Sequence, residues 1–238
     1  REHPTALRPF IPELAAFARQ NHYQILRPIL RLLAKSLELP EDTFINMHDF
    51  NADGSSPGTM LTNIFSYPRP EAHEILTKNV WLKGHTDPDF GNVTILYSQP
   101  IGGLQILFSD NKWRWLKHID NALVVNLGDS MEFLSGGYYR ATRHRVVQPP
   151  ADQQGIPRLG VFYFCTPNDD IKLSPLLESP VLQREGVKKY FWDDMVPTVA
   201  EWRKQRTARY GKSQLKVSAE EEGVEEEIIH GTVVKHYN

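Results

Sequence analysis

Two histidines and one aspartate carry the clearest chemical signal in this sequence. His85 and Asp87 stand two residues apart in WLKGHTDPDFGNVTILY, and His144 follows in YYRATRHRVV. Side chains alternate along an extended strand, so His85 and Asp87 point the same way and can chelate one ion. Two neutral imidazoles and a carboxylate can hold a divalent metal on one face and leave the opposite face open, as non-heme Fe(II) centres require. We therefore predict a metal site formed by these three residues.

Other polar residues in the chain lack a comparable pattern. A lone histidine is more often a surface or hydrogen-bonded structural group than a ligand. We expect that ordinary role of His3, His22, His73, His230 and His236. Asn126 in VVNLGD is either structural or part of a pocket, whereas Asp129 fits turn chemistry better than catalysis.

Short strands are predicted to position the three residues. From Trp81 onward, apolar runs alternate with Gly, Asn, Asp and Pro. The runs are NVTILYS, GGLQILFS, KWRWLKHI, NALVVNLGD, MEFLSGGYYRATRHRVV and RLGVFYF. So many short strands indicate a sandwich or jelly roll. ALVVNL is almost continuously apolar, which predicts a central strand covered on both faces, and Ser135-Gly136-Gly137 predicts a hairpin turn.

Helices are predicted on either side of the strands. Residues 9–39 carry apolar side chains at helical spacing, with Pro28 as a kink or boundary. Residues 51–58, NADGSSPG, predict a surface loop. After the last strand the pattern becomes helical again, and there the basic group around Arg206 predicts a solvated helix face.

The predicted elements imply one main domain of mixed α/β (α+β) class. At 238 residues and 40% hydrophobic content the chain can bury a substantial core. We predict three parts: a helical support segment at 1–45, the jelly-roll core at 59–167, and a C-terminal helical region and tail at 168–238.

Composition limits the partners and the compartment. A net charge of −2 gives no electrostatic case for nucleic acid or an anionic membrane, and no apolar run approaches the roughly 20 residues of a membrane span. Cys165 is the single cysteine, which suits a reducing, cytoplasmic setting. No signal-peptide pattern opens the chain, although it begins at Arg1 and a segment can precede it. The sequence leaves the oligomeric state open.

The stretch from Tyr67 to Pro167 resembles the 2-oxoglutarate- and Fe(II)-dependent oxygenases of the isopenicillin N synthase-like superfamily. The matching pieces occur in the family's order and cover about two fifths of the chain: SYPRP, GHTDPDFGNVTILYSQPIGGLQI, ALVVNLGD, YYRATRHRVV and RLGVFYFCTP. The resemblance implies a double-stranded β-helix (jelly-roll) core flanked by helices. It also implies Fe(II) as the metal, 2-oxoglutarate as cosubstrate and O2 as oxidant.

The resemblance also assigns roles to residues. His85, Asp87 and His144 match the metal ligands. Arg158 matches the arginine that anchors the remote carboxylate of 2-oxoglutarate, a role that suits a planar guanidinium because it can donate two parallel hydrogen bonds. Tyr67 matches the tyrosine that helps to bind the same carboxylate. The family's Arg-x-Ser is Arg-Leu-Gly here, so Gly160 removes one neutral hydrogen bond, worth on the order of 1 kcal/mol.

Strand parity extends the predicted cavity. His144 shares a face with Thr142 and Val146, and Arg158 shares one with Gly160 and Phe162. If the two strands were antiparallel neighbours, both residues would face one cavity. Candidate aromatic lining residues are Phe65, Phe90, Tyr97, Phe162 and Phe164.

The expected function is oxidation of a small organic metabolite, by hydroxylation, desaturation or cyclisation, with release of succinate and CO2. No catalytic residue is predicted beyond the metal ligands, since the iron carries the difficult chemistry. Two alternatives remain open. One is an iron oxidase of the same fold that works without 2-oxoglutarate, which Gly160 favours and Arg158 opposes. The other is a barrel that only binds metal or ligand.

Overall fold

The computed structural model describes residues 5–50, 59–66, 69–87, 92–209, 212 and 214–237, and for 59–66 it describes the backbone only. The predicted loop at 51–58 and Tyr67 lie outside the described residues. The helices are α1 (Ile11–Gln20), α2 (Arg27–Ser36), α3 (Glu71–Thr77), α4 (Asp129–Leu134), α5 (Pro180–Glu185) and α6 (Val199–Arg209). The strands are β1 (Thr59–Ser66), β2 (Val80–His85), β3 (Val93–Tyr97), β4 (Leu104–Leu107), β5 (Trp113–Trp115), β6 (Leu123–Leu127), β7 (His144–Val147), β8 (Arg158–Cys165), β9 (Lys216–Val217), β10 (Val224–Ile229) and β11 (Thr232–Tyr237).

The predicted N-terminal helix forms as α1 and α2, joined by a π-helical turn at Asn21–Leu26. Pro28 lacks the N–H that would continue the α-helical pattern. The wider turn just before it has the peptide N–H of Arg27 donating to the carbonyl of His22, five residues back. Pro28 is therefore a boundary in the hydrogen-bond pattern, as predicted.

Two antiparallel sheets face each other and form the jelly roll. The small sheet has the order β1-β8-β3-β6, and the large sheet has the order β5-β4-β7-β2-β11-β10-β9. This architecture confirms the predicted α+β class. Buried side chains of α2, among them Leu30 and Ala34, pack against Ile95 and Tyr163 of the small sheet. One side of the small sheet thus supports the core, and its other side is free to line a cavity.

The prediction that ALVVNL forms a covered central strand is wrong. This segment is β6, which lies at the edge of the small sheet among the described strands. Leu123 and Val125 are 37% and 40% exposed. Val124 and Val125 border an open cavity. The apolar residues of this strand therefore line a pocket as well as packing into the core. The covered strand is β3, where Val93, Ile95 and Leu96 are buried.

The prediction that MEFLSGG is part of a strand with a hairpin turn is also wrong. Asp129–Leu134 forms α4, and Met131 and Leu134, three residues apart, are both buried. Gly136 and Gly137 end this helix with φ of +53° and +83°, a backbone region that glycine adopts without steric cost. The spacing of Met131 and Leu134, three residues apart, is therefore typical of a helix rather than of a strand.

The C-terminal segment holds α5 and α6, but it ends in strands rather than in a helical region and tail. β10 and β11 form a hairpin, and Tyr237 pairs with Gly84 of β2, so the chain end extends the large sheet. The solvated face predicted for α6 is only partly present, because Arg206 is 8% exposed and pairs with Glu227 at 3.3 Å. The division into three parts stays a prediction. Among the described residues, no helix combines the length and the apolar character needed to cross a membrane.

Candidate metal centre

The fold brings His85, Asp87 and His144 together. β2 and β7 pair with His85 directly opposite His144, and the two ring centroids lie 4.5 Å apart. Asp87 follows the end of β2, and its Oδ1 lies 3.8 Å from Nε2 of His85 and 3.6 Å from Nε2 of His144. One ligand atom from each residue lies within 4.8 Å of the others. Residues far apart in sequence thus form one compact donor set.

Backbone carbonyls orient both imidazoles. Nδ1 of His85 donates to the carbonyl of Lys83 at 2.8 Å, and Nδ1 of His144 donates to the carbonyl of Thr142 at 2.9 Å. With the protons on Nδ1, the Nε2 lone pairs face Asp87. Burial, followed by the neighbouring His144, lowers the pKa of His85. This shift favours the neutral imidazole, which is the form that can coordinate a metal.

Two side chains fix the carboxylate of Asp87. Oδ2 accepts hydrogen bonds from Oγ1 of Thr94 at 2.8 Å and from Nδ2 of Asn126 at 2.7 Å. Thr94 and Asn126 are opposite each other in the β3–β6 pair, so the small sheet presents both donors together. Oδ1 remains directed at the imidazoles. Asn126 therefore lines the pocket, while sequence reasoning missed Thr94, for which only its place in the NVTILY strand gave a signal.

A cavity of about 650 Å³ lies between the two sheets, and the three residues open into it. Its walls are mainly apolar, with a few polar groups, as in most small-molecule sites. The lining residues are Arg69, Pro70, Trp81, Leu82, His85, Asp87, Thr94, Leu96, Leu104, Ile106, Val124, Val125, Asn126, Thr142, His144, Val146, Arg158, Phe162 and Phe164. His144 and Arg158 do share this cavity, but from facing sheets, because β7 and β8 are not neighbours.

Arg158 is a buried cation in the cavity wall. It is 5% exposed, and within the described part of the chain no carboxylate pairs with it and its Nε has no hydrogen-bond partner. Burial lowers the pKa of its guanidinium. The aliphatic part of its side chain lies beside Gly103, where an added Cβ would come within 3.4 Å of Cδ. An unpaired buried charge is costly, so this site fits an anionic ligand.

A family model matches the part of the chain that contains the site. The model described as the 2OG-Fe(II) oxygenase superfamily matches residues 58–167, the range that contains the three clustered residues and Arg158. Over these residues the chain is similar to this superfamily. The donor set suits a divalent metal, and the unpaired guanidinium suits a carboxylate, so the described residues fit Fe(II) and 2-oxoglutarate.

Proteins similar to this chain include plant enzymes. Scopoletin 8-hydroxylase of Arabidopsis thaliana is 33% identical over 56% of this chain and 34% of its own length. 1-Aminocyclopropane-1-carboxylate oxidase 2 of Malus domestica is 29% identical over 72% of this chain and 49% of its own length. The chain thus spans about a third to a half of these relatives. Among solved structures, a full-length Neurospora crassa protein in complex with alpha-KG and thymine has a TM-score of 0.69 at 23% identity, covering 88% of this chain and 59% of that one. At that identity the likeness concerns the fold.

The remaining predicted lining residues have different outcomes. Phe162 and Phe164 line the cavity and stack with ring centroids 5.5 Å apart and planes 4° apart. Tyr97 does not line it, because its ring packs on Phe17 and its hydroxyl donates to Asn21. Phe90 and Tyr67, and the side chain of Phe65, lie outside the described part. Trp81 and Arg69 line the cavity and were missed.

The packing around residue 160 explains why it is a glycine. The ring of Phe162 fills the space that a Cβ at Gly160 would need. The absence of the family's serine is thus coupled to the position of the Phe162 ring.

Proposed function

We propose that this chain is an Fe(II)- and 2-oxoglutarate-dependent dioxygenase that oxidises a small organic molecule. The observation that carries this proposal is that His85, Asp87, His144 and the unpaired guanidinium of Arg158 open into the same cavity. The first three residues would hold Fe(II), and Arg158 would bind the remote carboxylate of 2-oxoglutarate. Tyr67, outside the described residues, would assist Arg158.

The residues of the chain supply position and a dry environment. When bound, Fe(II) and 2-oxoglutarate supply the oxidation: O2 is reduced while 2-oxoglutarate loses CO2 to give succinate and the substrate is oxidised. Thr94 and Asn126 keep one carboxylate oxygen of Asp87 facing the metal position. Apolar side chains such as Leu104, Ile106 and Val146 exclude water from the reacting centre. No general acid or base is proposed beyond the metal ligands.

The size and walls of the cavity support a small organic substrate. A volume of about 650 Å³ must accommodate both 2-oxoglutarate and the substrate. The relatives named above are called after scopoletin and 1-aminocyclopropane-1-carboxylate, and the Neurospora crassa structure contains thymine, all small molecules. Hydroxylation is the default outcome, with desaturation or cyclisation as variants. The near-zero net charge and single cysteine support a cytoplasmic enzyme without nucleic-acid or membrane partners.

One observation favours a second candidate, an iron oxidase of the same fold that does not use 2-oxoglutarate. Gly160 supplies no hydroxyl, and the Phe162 ring occupies that space. Arg158 weighs against this candidate, because it is buried with no carboxylate partner among the residues that the structure describes, and a bound carboxylate would explain that burial.

Anaerobic spectroscopy followed by product analysis tests the proposal. Adding Fe(II) and then 2-oxoglutarate to the whole chain is expected to produce a visible metal-to-ligand charge-transfer band. Admitting O2 should then yield succinate. Absence of both band and succinate would refute the proposal, and O2 consumption without succinate would establish the second candidate.

A further inference from the structure

The cavity contains a second guanidinium that the proposed cosubstrate does not require. Arg69 and Arg158 both line it. We propose that Arg69 binds a carboxylate of the substrate, so that the oxidised molecule is an apolar organic acid. This inference rests on the proposed function and names the substrate class of the same site.

The structure holds Arg69 ready for an anion. Its Cζ lies 5.6 Å from the centre of the Trp81 ring, in cation–π contact, and its Nη2 donates to the carbonyl of Trp81 at 3.3 Å. A guanidinium has five N–H donors. Arg69 is half-buried, and no carboxylate in the described ranges pairs with it. Most of its donors are therefore available to a ligand in the cavity.

The platform beneath Arg69 is itself fixed. Nε1 of Trp81 donates to both carboxylate oxygens of Glu74, at 2.8 and 3.1 Å. Glu74 is 4% exposed and belongs to α3, the short helix just before β2. Glu74 thus fixes the position of the Trp81 ring, and both oxygens of its carboxylate accept from the indole N–H. A prearranged cationic group loses little freedom when it binds a ligand, which favours affinity.

The charges in the cavity leave Arg69 unbalanced. Fe(II) with Asp87 as its one anionic ligand carries a single net positive charge, and Arg158 adds another. The two negative charges of 2-oxoglutarate balance these two. The Glu74 carboxylate lies behind the Trp81 ring and does not line the cavity. Among the lining residues Arg69 then remains as one cation, which one negative charge on the substrate would complement inside the cavity.

The strand geometry limits the distance between the acid group and the reacting carbon. Trp81, which supports Arg69, lies four residues before His85 on β2. At a rise of about 3.3 Å per residue this is at most about 13 Å along the strand. The acid is therefore expected to carry its carboxylate several carbon atoms away from the oxidised position.

Binding of matched acid and amide probes tests the inference without turnover. The whole chain is loaded with Zn(II) in place of Fe(II) and saturated with 2-oxoglutarate. A panel of aryl and alkyl carboxylic acids of increasing length, from phenylacetate to 4-phenylbutyrate and decanoate, is titrated beside the corresponding primary amides by calorimetry. We expect at least one acid to bind about 10-fold or more tightly than its amide, the size of a charge-assisted hydrogen bond.

Variants of Arg69 decide the source of that preference. Arg69→Gln should abolish the acid-over-amide ratio while 2-oxoglutarate affinity stays within about twofold, and Arg69→Lys should retain part of the ratio. Arg114→Gln is the matched control, because Arg114 also lies over an aromatic ring, that of Phe108, but outside the cavity. It should change neither affinity.

Three results would overturn the inference: no acid in the panel exceeds its amide, the preference survives in Arg69→Gln, or Arg69→Gln weakens 2-oxoglutarate as strongly as Arg158→Gln does. In the last case Arg69 would bind 2-oxoglutarate rather than the substrate. If the Fe(II) and 2-oxoglutarate band forms normally in the wild type, each of these results removes only this inference and leaves the proposed function in place.

Discussion

At the scale of single residues, the metal-site candidates were predictable because the spacing of two of them fixes the direction of their side chains. His85 and Asp87, two apart, must share a strand face, and only one further ligand had to be found. The contact of Thr94 with Asp87 could not be predicted, since it depends on which strand lies across from which. The cavity position of Arg69 was missed because a single arginine carries no spacing signal.

Thr94 provides the first prediction at this scale. Thr94→Val keeps the shape of the buried side chain but removes the hydroxyl that donates to Asp87. Loss of such a support for a ligand typically costs about 10-fold or more in metal affinity. Competition with a chelator for Fe(II) measures the metal affinity of each variant. Thr94→Ser keeps the hydroxyl and should stay close to wild type; equal affinities in all three proteins would contradict the assigned role.

Arg158 provides the second prediction. Arg158→Gln removes the cation proposed to bind the remote carboxylate, so the Kd for 2-oxoglutarate should rise about 100-fold, with charge-assisted hydrogen bonds lost. Fe(II) affinity should not change, because Arg158 is not one of the three clustered residues. Titration of the visible band with 2-oxoglutarate gives the Kd, and competition with a chelator gives the Fe(II) affinity. An unaltered Kd would show that Arg158 has another role.

At the scale of elements, periodicity predicted the strands and the N-terminal helices, but it did not predict which strand lies at an edge. β6 is apolar like a central strand, yet it borders a cavity. Pairing of the chain end with β2 also escaped prediction, because the register between distant strands is set by tertiary contacts. Gly84 marks this junction, since its Cα sits opposite Tyr237.

Gly84→Ala tests the junction. The added Cβ would lie 2.7 Å from Tyr237 Cβ and 2.7 Å from Trp113 Cη2, so β2 must shift next to His85. We expect a loss of roughly 1–3 kcal/mol in the free energy of unfolding, typical of overpacking, together with weaker Fe(II) binding. Gly155→Ala is the control: nothing lies within 4 Å of its added Cβ, and any cost comes from its φ of +87°. Metal affinity falling equally in both variants would argue against the junction.

At the scale of the whole molecule, the α1–α2 layer supports the sheet that presents Thr94 and Asn126. Two buried histidines lie in the N-terminal part of the chain, His22 between α1 and α2 and His48 after α2. His22 shares a hydrogen bond with the hydroxyl of Tyr163, and Nε2 of His48 contacts the amide nitrogen of Asn92 at 2.8 Å. The structural role predicted for His22 agrees with this burial. Desolvation lowers the pKa of both imidazoles to about 4.

This burial predicts how stability depends on pH. Both groups have a folded pKa below the unfolded value of 6.5, so the unfolded state binds protons first. Their stabilisation is complete above about pH 6.5 and is lost as pH falls toward 4. Each histidine should lower the free energy of unfolding by roughly 1–2 kcal/mol as the pH falls from 7 to 5. Urea unfolding at several pH values should show a smaller dependence in His22→Gln and in His48→Gln, and an unchanged one in exposed His73→Gln. An identical dependence in all four proteins would refute this.

The central claim is that His85, Asp87 and His144 together form one ferrous ion site, and anaerobic titration with Fe(II) tests it most directly. We predict one tightly bound ion per wild-type chain, at least 100-fold weaker binding in Asp87→Ala and in His144→Ala, and unchanged binding in His73→Ala. One tightly bound ion in either of the first two variants, with wild-type affinity, would contradict the account.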